Sequence, residues 1–422
     1  MKIETQCLHV GYEPKNGQPQ ALPIYQSTTY RYDSCEHVGK LFDLTAEGHM
    51  YSRISNPTVE AVEKKIAAIE GGIGALCTTS GQAANMIAIL NILKCGDHFV
   101  SASTIYGGSV NLFAVTLKRF GIDVTFVDAD SSEEEIQKAF RPNTKAMFGE
   151  TIANPAICIL DIEKFARIAH KNQVPLIVDN TFATPVLCRP FDFGADIVVH
   201  STSKYMDGHA VQVGGVIVDS GKFDWTNGKF PEMTQPDESY HGVVYTKDFG
   251  NAAYITKARV QMMRDMGAYP SAQNAFLLNL GLETLPVRIR QHCRNAEQVA
   301  AFLHESEKIE SVNYPTVPGD PYADLAKKYL PDGASGVISF IVKGGKEKAA
   351  ALIDSLKLAS TVVHVADVRT CVLHPATTTH RQLTEEQLVA CGVSPGLIRL
   401  SVGLENVEDI IEDLRQGLAS IG

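Results

Sequence analysis

Short, nearly continuous apolar runs recur along the first half of the chain, each set off from the next by a segment of helical periodicity. No other feature limits the fold as much. The runs lie at 98–102, 124–127, 146–150, 176–179, 197–200 and 216–218, and the helical patterns between them include 109–120, 133–140 and 162–170. A strand covered on one face alternates polar and apolar residues, whereas a continuous apolar run points to a strand covered on both. The alternation therefore predicts an α/β fold with a mostly parallel central sheet flanked by helices.

The rest of the chain divides around this pattern. Residues 1–55 mix turn formers with short polar runs and read as an extended arm. At Asn56 a helix begins: Asn56 suits the N-cap, Pro57 the first helical position, and Val59, Val62, Ile66 and Ile69 fall on one face before Gly71 and Gly72 end it. The stretch 83–93 reads as a buried helix. The segment 223–245, rich in Gly, Pro, Asp, Asn and aromatics, reads as a long surface excursion. From 257 the pattern restarts, with a long helical region toward 303, a strand-like run at 337–342 and a final helix at 407–418. A chain of 422 residues needs more than one core. The expected division is an arm (1–55), a large domain (56–256) and a smaller C-terminal α+β domain (257–422).

Charge and cysteine usage exclude several function classes. A formal net charge of −10 argues against a nucleic-acid partner, which calls for a basic face. The nine cysteines are scattered, with no C-x-x-C pair, so neither a disulfide framework nor a zinc site is expected. They read as small buried hydrophobes in a reducing, cytoplasmic setting. No apolar run is long enough for a membrane span, and the N-terminus lacks an apolar signal core.

The chemistry concentrates in 174–215. One apolar run ends in Asp179-Asn180-Thr181, and the next ends just before Ser201-Thr202-Ser203-Lys204. In an open α/β sheet, ligands bind outside the carboxyl ends of the strands, so both polar clusters face one crevice. A lysine amine, a carboxylate and a group of hydroxyls are the parts that pyridoxal 5'-phosphate needs. The amine holds its aldehyde covalently, the carboxylate keeps its ring nitrogen protonated, and the hydroxyls with backbone N–H groups hold its phosphate. Lys204, Asp179, and Ser201 with Ser203 supply them. Ser80-Gly81-Gln82, opening a helix, offers a second phosphate cradle. Taken singly, an Asp at a strand end is more often a cap and a Lys more often a solvated surface group. Their combination turns the reading toward function.

Seven stretches, in order, resemble the Cys/Met-metabolism family of pyridoxal-phosphate enzymes: Tyr51-Ser-Arg-Ile-Ser-Asn-Pro57, Ser80-Gly-Gln-Ala83, Tyr106-Gly-Gly108, Asn154-Pro155, Asp179-Asn-Thr181, Ser201-Thr-Ser-Lys204 and Arg399-Leu-Ser-Val-Gly-Leu-Glu405. The resemblance implies a PLP-dependent transferase fold of type I. It implies that Lys204 carries the cofactor and moves substrate protons, and that Asp179, beside Thr181, pairs with the ring nitrogen. Tyr106 would stack on the ring and Asn154 would bond its phenolic oxygen. Gly81, Gln82, Ser201 and Ser203 would hold the phosphate, and Arg399 would clamp the substrate carboxylate. Tyr51 and Arg53 would reach the phosphate of a neighbouring subunit, making the active site shared in a tetramer built from dimers. Without the resemblance, Tyr51 and Tyr106 read equally well as buried aromatics, and Arg53 and Arg399 as structural ion-pair partners. His200 reads as packing, and His374, in an H-P-A-T-T-T-H run, as shaping the pocket.

Within the family, Gly108 (where methionine γ-lyases tend to carry Cys) and the long segment from Phe223 resemble members that replace the γ-substituent of O-acetyl-L-homoserine with sulfide or methanethiol. Methionine γ-lyase or cystathionine γ-synthase/lyase chemistry on the same scaffold is the alternative. The chain departs from the family at His364, where Asn is frequent, and at Ala366, where Gly is frequent. The methyl of Ala366 is expected to narrow the pocket or shift the backbone. Thr151 and Ala153 are milder departures. A dinucleotide site at Gly72-Ile-Gly74-Ala-Leu-Cys77 is disfavoured, because its third position is Cys and it follows a helix. A non-catalytic binding protein would have no need of the Lys204 amine.

Overall fold

The computed structural model describes residues 1–378, 381 and 394–422. Seven strands, β1 (Gly74–Thr78), β2 (His98–Ala102), β3 (Asp123–Val127), β4 (Thr144–Glu150), β5 (Leu176–Asp179), β6 (Ile197–His200) and β7 (Gly215–Asp219), form one sheet in the order β1-β7-β6-β5-β4-β2-β3. The strands from β3 to β6 pair in parallel, and β7 runs antiparallel to both of its neighbours. Five of the six apolar runs are covered on both faces, as expected, with Phe99, Val100, Met147, Ile177, Val198 and Ile217 fully buried; the run at 124–127 forms the edge strand β3 and is only half-buried. The six runs anticipated from the sequence are all strands. The seventh, β1, was hidden inside the glycine-rich 72–77 stretch.

The second sheet has five strands, β8 (Ile309–Asn313), β9 (Val337–Val342), β10 (Ser360–Thr361), β11 (Cys371–Leu373) and β12 (Leu397–Ser401), in the order β10-β11-β12-β9-β8. Its pairings are antiparallel except β10 with β11. A helix of 33 residues, Ala272–His304, leads from the large sheet into this one. Among the described residues, no helix is long and apolar enough to cross a membrane.

Local chemistry accounts for the helix boundaries. In α3 (Pro57–Glu70) the Asn56 side chain accepts from Thr58 N at 3.0 Å, and Gly71 ends the helix at φ +84°. The left-handed turn costs glycine nothing sterically. Val62, Ile66 and Ile69 of α3 are wholly buried. The anticipated 83–93 helix is α4 (Gly81–Leu90), capped by Ser80, whose side chain accepts from Ala83 N.

Three expectations need correction. The first 55 residues are not all extended, since they contain α1 (Ile3–His9) and α2 (Cys35–Phe42). Cys7 of α1 is fully buried and α1 packs on α3 and on the Ala272–His304 helix. The segment 223–245 is not a surface excursion. Trp225, Phe230, Met233 and Tyr245 are buried, and Trp225 stacks on Tyr254 with ring centroids 5.2 Å apart. Its turn residues lie between large aromatics, and burying those rings outweighs the polar composition. Finally, Cys35 and Cys95 are exposed rather than buried; the eight cysteines of the described residues are all free thiols.

Candidate active site

A cavity of about 420 Å³ opens at the carboxyl ends of β4, β5 and β6, with β12 of the smaller sheet on its far side. That size suits a small organic ligand. Its wall includes Lys204, Asp179, Tyr106, Asn154 and Arg399, brought together from stretches as much as 293 positions apart in the chain.

Each functional side chain has a local reason for its place. Asp179 is the last residue of β5. Its Oδ1 accepts from Thr181 N at 3.0 Å and from Thr181 Oγ1 at 2.5 Å. Burial pushes its carboxyl above the usual range, against the pull of those hydrogen bonds. Among the described residues no cation forms an ion pair with it, so this carboxylate faces the cavity without a counter-charge. Lys204 lies in the turn that follows β6. Burial first, and the Arg399 charge second, push its amine down to about 8. Its Nζ has one hydrogen-bond partner among the described residues, His364 Nδ1 at 3.4 Å. Burial and Lys204 hold His364 down to about 4, so that ring is neutral and able to accept.

Arg399, on β12, is 6% exposed and likewise has no carboxylate partner among the described residues. Its guanidinium donates to Asn154 Oδ1 at 3.2 Å and to the carbonyls of Val363 and His364 at 3.3 Å. Burial lowers its pKa to about 10. A buried guanidinium that donates to neutral acceptors is poised for an anion.

The phosphate end is built from backbone. At α4 the Ser80 side chain takes the N–H of Ala83, which leaves the N–H groups of Gly81 and Gln82 for a ligand. A Cβ on Gly81 would stand 2.7 Å from the Ser201 Cβ, so only glycine lets this turn approach the second strand end. Ser201 and Ser203 line the cavity, although the Ser203 hydroxyl also bonds both the N–H and the carbonyl of Gly214. A lone carboxylate, a depressed amine, a tyrosine in the cavity wall and an anion cradle fit pyridoxal phosphate.

One functional residue escaped the sequence reading. Glu150 ends β4 directly beside Asp179 in register and lines the same cavity. Its Oε2 accepts from Tyr106 N at 2.7 Å. Burial, then the Asp179 charge, push its carboxyl well above the usual range, and it holds the Tyr106 backbone. The signal was available, since Glu150 ends an apolar run as Asp179 does.

Other residues are placed elsewhere. Tyr51 and Arg53 do not line the cavity of their own chain. The Arg53 guanidinium lies over the Tyr51 ring and donates to the Arg264 carbonyl. His374 does not line it either, its ring bonding Thr377 Oγ1 and the Pro395 carbonyl; the end of the H-P-A-T-T-T-H run lies outside the described residues. Ala366 is fully buried at φ +65°, donating its N–H to Ser401 Oγ, and is not in the cavity wall. The backbone keeps the glycine-like turn, and the methyl does not narrow the pocket. The neighbouring Val363, His364 and Val365 do line it.

Comparison with known proteins agrees with this geometry. The family model described as Cys/Met metabolism PLP-dependent enzyme matches residues 4–419. An O-acetyl-L-homoserine sulfhydrylase of Corynebacterium glutamicum is 47% identical over 99% of this chain and 97% of its own length. Its counterpart in Leptospira meyeri is 45% identical over 100% and 97%. A crystal structure from Campylobacter jejuni, described as an O-acetylhomoserine (thiol)-lyase with a pyridoxyl-lysine phosphate, superposes with a TM-score of 0.96. It is 39% identical and covers 99% of this chain and 100% of that one.

Proposed function

The chain belongs to the Cys/Met metabolism PLP-dependent enzymes, and from that premise we propose that it replaces the γ-substituent of O-acetyl-L-homoserine with sulfide or methanethiol. The products are L-homocysteine or L-methionine, with acetate. The observation that carries this reading is the convergence of Lys204 and Arg399, from two sheets, on one cavity.

Bound there, pyridoxal phosphate supplies an electron sink for negative charge that develops on the amino-acid skeleton. Lys204 would hold it covalently, and Asp179 would supply the negative charge for its ring nitrogen. Gly81, Gln82, Ser201 and Ser203 would hold its phosphate, and Tyr106 and Asn154 would bind its ring and phenolic oxygen. Arg399 receives the substrate α-carboxylate in a two-pronged hydrogen bond, which fixes the carbon chain over Lys204. The Lys204 amine, freed when the substrate amine takes its place and pushed down to about 8, takes the proton from the α-carbon, gives it up, and then takes one from the β-carbon; protons return to both carbons through the same amine after sulfur has added. The γ C–O bond breaks as acetate leaves, and a C–S bond forms as the sulfur nucleophile enters. Exclusion of water from the cavity keeps hydrolysis to 2-oxobutanoate from competing.

The shared site is part of the same proposal. Tyr51 and Arg53 lie at the end of the 1–55 segment, away from the cavity of their own chain, and this supports their reaching the phosphate of a neighbouring subunit in a tetramer built from dimers. The large unit 56–256 would then bind cofactor and the unit 257–422 would select substrate.

The test is product formation from O-acetyl-L-homoserine by the purified holoenzyme, with and without sulfide. Homocysteine that appears only with sulfide is expected. Rapid 2-oxobutanoate without sulfide, from L-methionine as well, would make the enzyme a lyase on the same scaffold.

A further inference from the structure

Behind the cofactor wall, on the opposite face of the sheet, lies a buried polar network that the proposed chemistry leaves unused. Glu70, the last residue of α3, is 0% exposed. Its Oε2 meets His200 Nε2 at 2.7 Å, and the His200 side chain is 1% exposed. Its Oε1 accepts from Asn180 Nδ2 at 3.3 Å. Asn180 also donates to the Cys188 carbonyl at 2.9 Å, and its Oδ1 accepts from Thr151 Oγ1 at 2.9 Å. The His200 Nδ1 has no partner among the described residues.

A fully buried carboxylate is costly unless it is paired and hydrogen-bonded, and a well-packed apolar group would serve packing better. This one sits where two anchors can be joined. Successive residues of an extended chain face opposite sides. Asn180 follows Asp179, and His200 precedes Ser201. Asp179 and Ser201 face the cavity, while Asn180 and His200 face Glu70. On the cavity side the same two strand ends are tied by Thr181, whose Oγ1 bonds both Asp179 Oδ1 and the Ser201 N–H.

We propose that Glu70 is a positioning residue that sets the spacing of the two cofactor anchors. Through Asn180 it holds the strand end bearing the ring-nitrogen carboxylate, and through His200 the strand end bearing the phosphate hydroxyl. The charged and titratable groups around the pair are Asp179 on β5, Cys188, whose thiol is pushed up by burial and by Glu70, and Asp192 beyond it. Among the described residues, His200 is the only basic side chain that pairs with Glu70.

This inference rests on the cofactor reading above, and one experiment separates the two. The release rate of pyridoxal phosphate and the visible circular dichroism of the bound chromophore are measured for the wild-type holoenzyme, Glu70→Gln, His200→Gln and the double variant. Each single variant is expected to release cofactor at least tenfold faster with an altered visible dichroism, and the double variant to resemble either single one, because the pair acts as a unit. Release within twofold of wild type with an unchanged dichroism, even beside a lower melting temperature, would overturn the proposal and leave the pair a packing feature. If Glu70→Gln does not fold, Thr151→Val removes only the hydroxyl at the far end of the network. Release about threefold faster is then expected, and an unchanged rate overturns the proposal. A wild-type protein that never holds pyridoxal phosphate would instead overturn the cofactor reading.

Discussion

The two walls of the active-site cavity come from different sheets and differ in how they are built. The wall made by β4, β5 and β6 carries Glu150, Asp179 and Lys204 at the ends of buried parallel strands, with a second layer of hydrogen bonds behind them. The wall made by β12 and the 362–367 segment carries one fixed cation, Arg399, and a loop in which Val363 is exposed and His364 is half-buried. Strand ends backed by a closed core hold groups within the tolerance that proton transfer demands. A loop tied down at one guanidinium can change its residues without disturbing the sheet. The two main departures from the family pattern expected from the sequence, His364 and Ala366, both fall in the 362–367 segment, His364 in the cavity wall and Ala366 behind it. On the proposed function, chemistry would sit on the rigid wall and selection on the adaptable one.

The largest expected effect breaks the first wall. Lys204→Ala removes the proton-moving amine and should lower kcat by about 10⁴-fold or more. Borohydride reduction followed by mass spectrometry should then find no cofactor attached to the chain. A variant that kept substantial turnover would remove the basis of the division between the walls.

Arg399→Ala strikes the second wall. Losing charge-assisted hydrogen bonds worth about 1.5–3 kcal/mol should raise KM by roughly 10- to 100-fold, with a smaller change in kcat. Arg399→Lys should recover only part of this, since an ammonium is not two-pronged. If kcat falls as far as in the Lys204 variant, selection and chemistry are not separated as described.

The contact between the walls, His364 with Lys204, has a pH signature. Capture of pyridoxal phosphate by the apoenzyme requires the neutral amine, so its rate should climb as pH rises through about 8 and level off above. His364→Leu removes the acceptor that favours the ammonium, so the midpoint should move to lower pH. Stopped-flow absorbance against pH reads this, and an unmoved midpoint would mean that the two walls do not communicate there.

Ala366→Gly should have the smallest effect. The left-handed conformation at φ +65° strains alanine, and its relief is offset in part by the greater freedom of glycine in the unfolded chain. A rise in stability of about 1 kcal/mol or less is expected in denaturant titration, with KM unchanged because the methyl is outside the cavity wall. A clear shift in KM would show that this buried position shapes the pocket after all.

Much of the rigid wall is legible in the amino-acid sequence. Continuous apolar runs announce strands, and polar residues just beyond their ends announce the crevice; Asp179 and Lys204 become candidates through their combination. The N-cap at Asn56 and the stop at Gly71 are local chemistry, and local chemistry survives folding. Composition misleads where large side chains outweigh their neighbours, as Trp225 and Phe230 do among the glycines and aspartates of 223–245. It also misleads at the N-terminus, where Cys7 is buried only because the Ala272–His304 helix lies across α1.

The sequence by itself therefore determined the class of fold and which strand ends carry the candidate cofactor anchors, because strand periodicity and turn chemistry act over a few residues. Tertiary structure alone decided which distant groups meet. It set Arg399 across from Lys204, placed Glu150 beside Asp179 so that burial and a neighbouring charge push its carboxyl up, and closed Glu70 on His200 from 130 positions away. Desolvation and the pairing of charges depend on what surrounds a residue in space, and no local pattern carries that information.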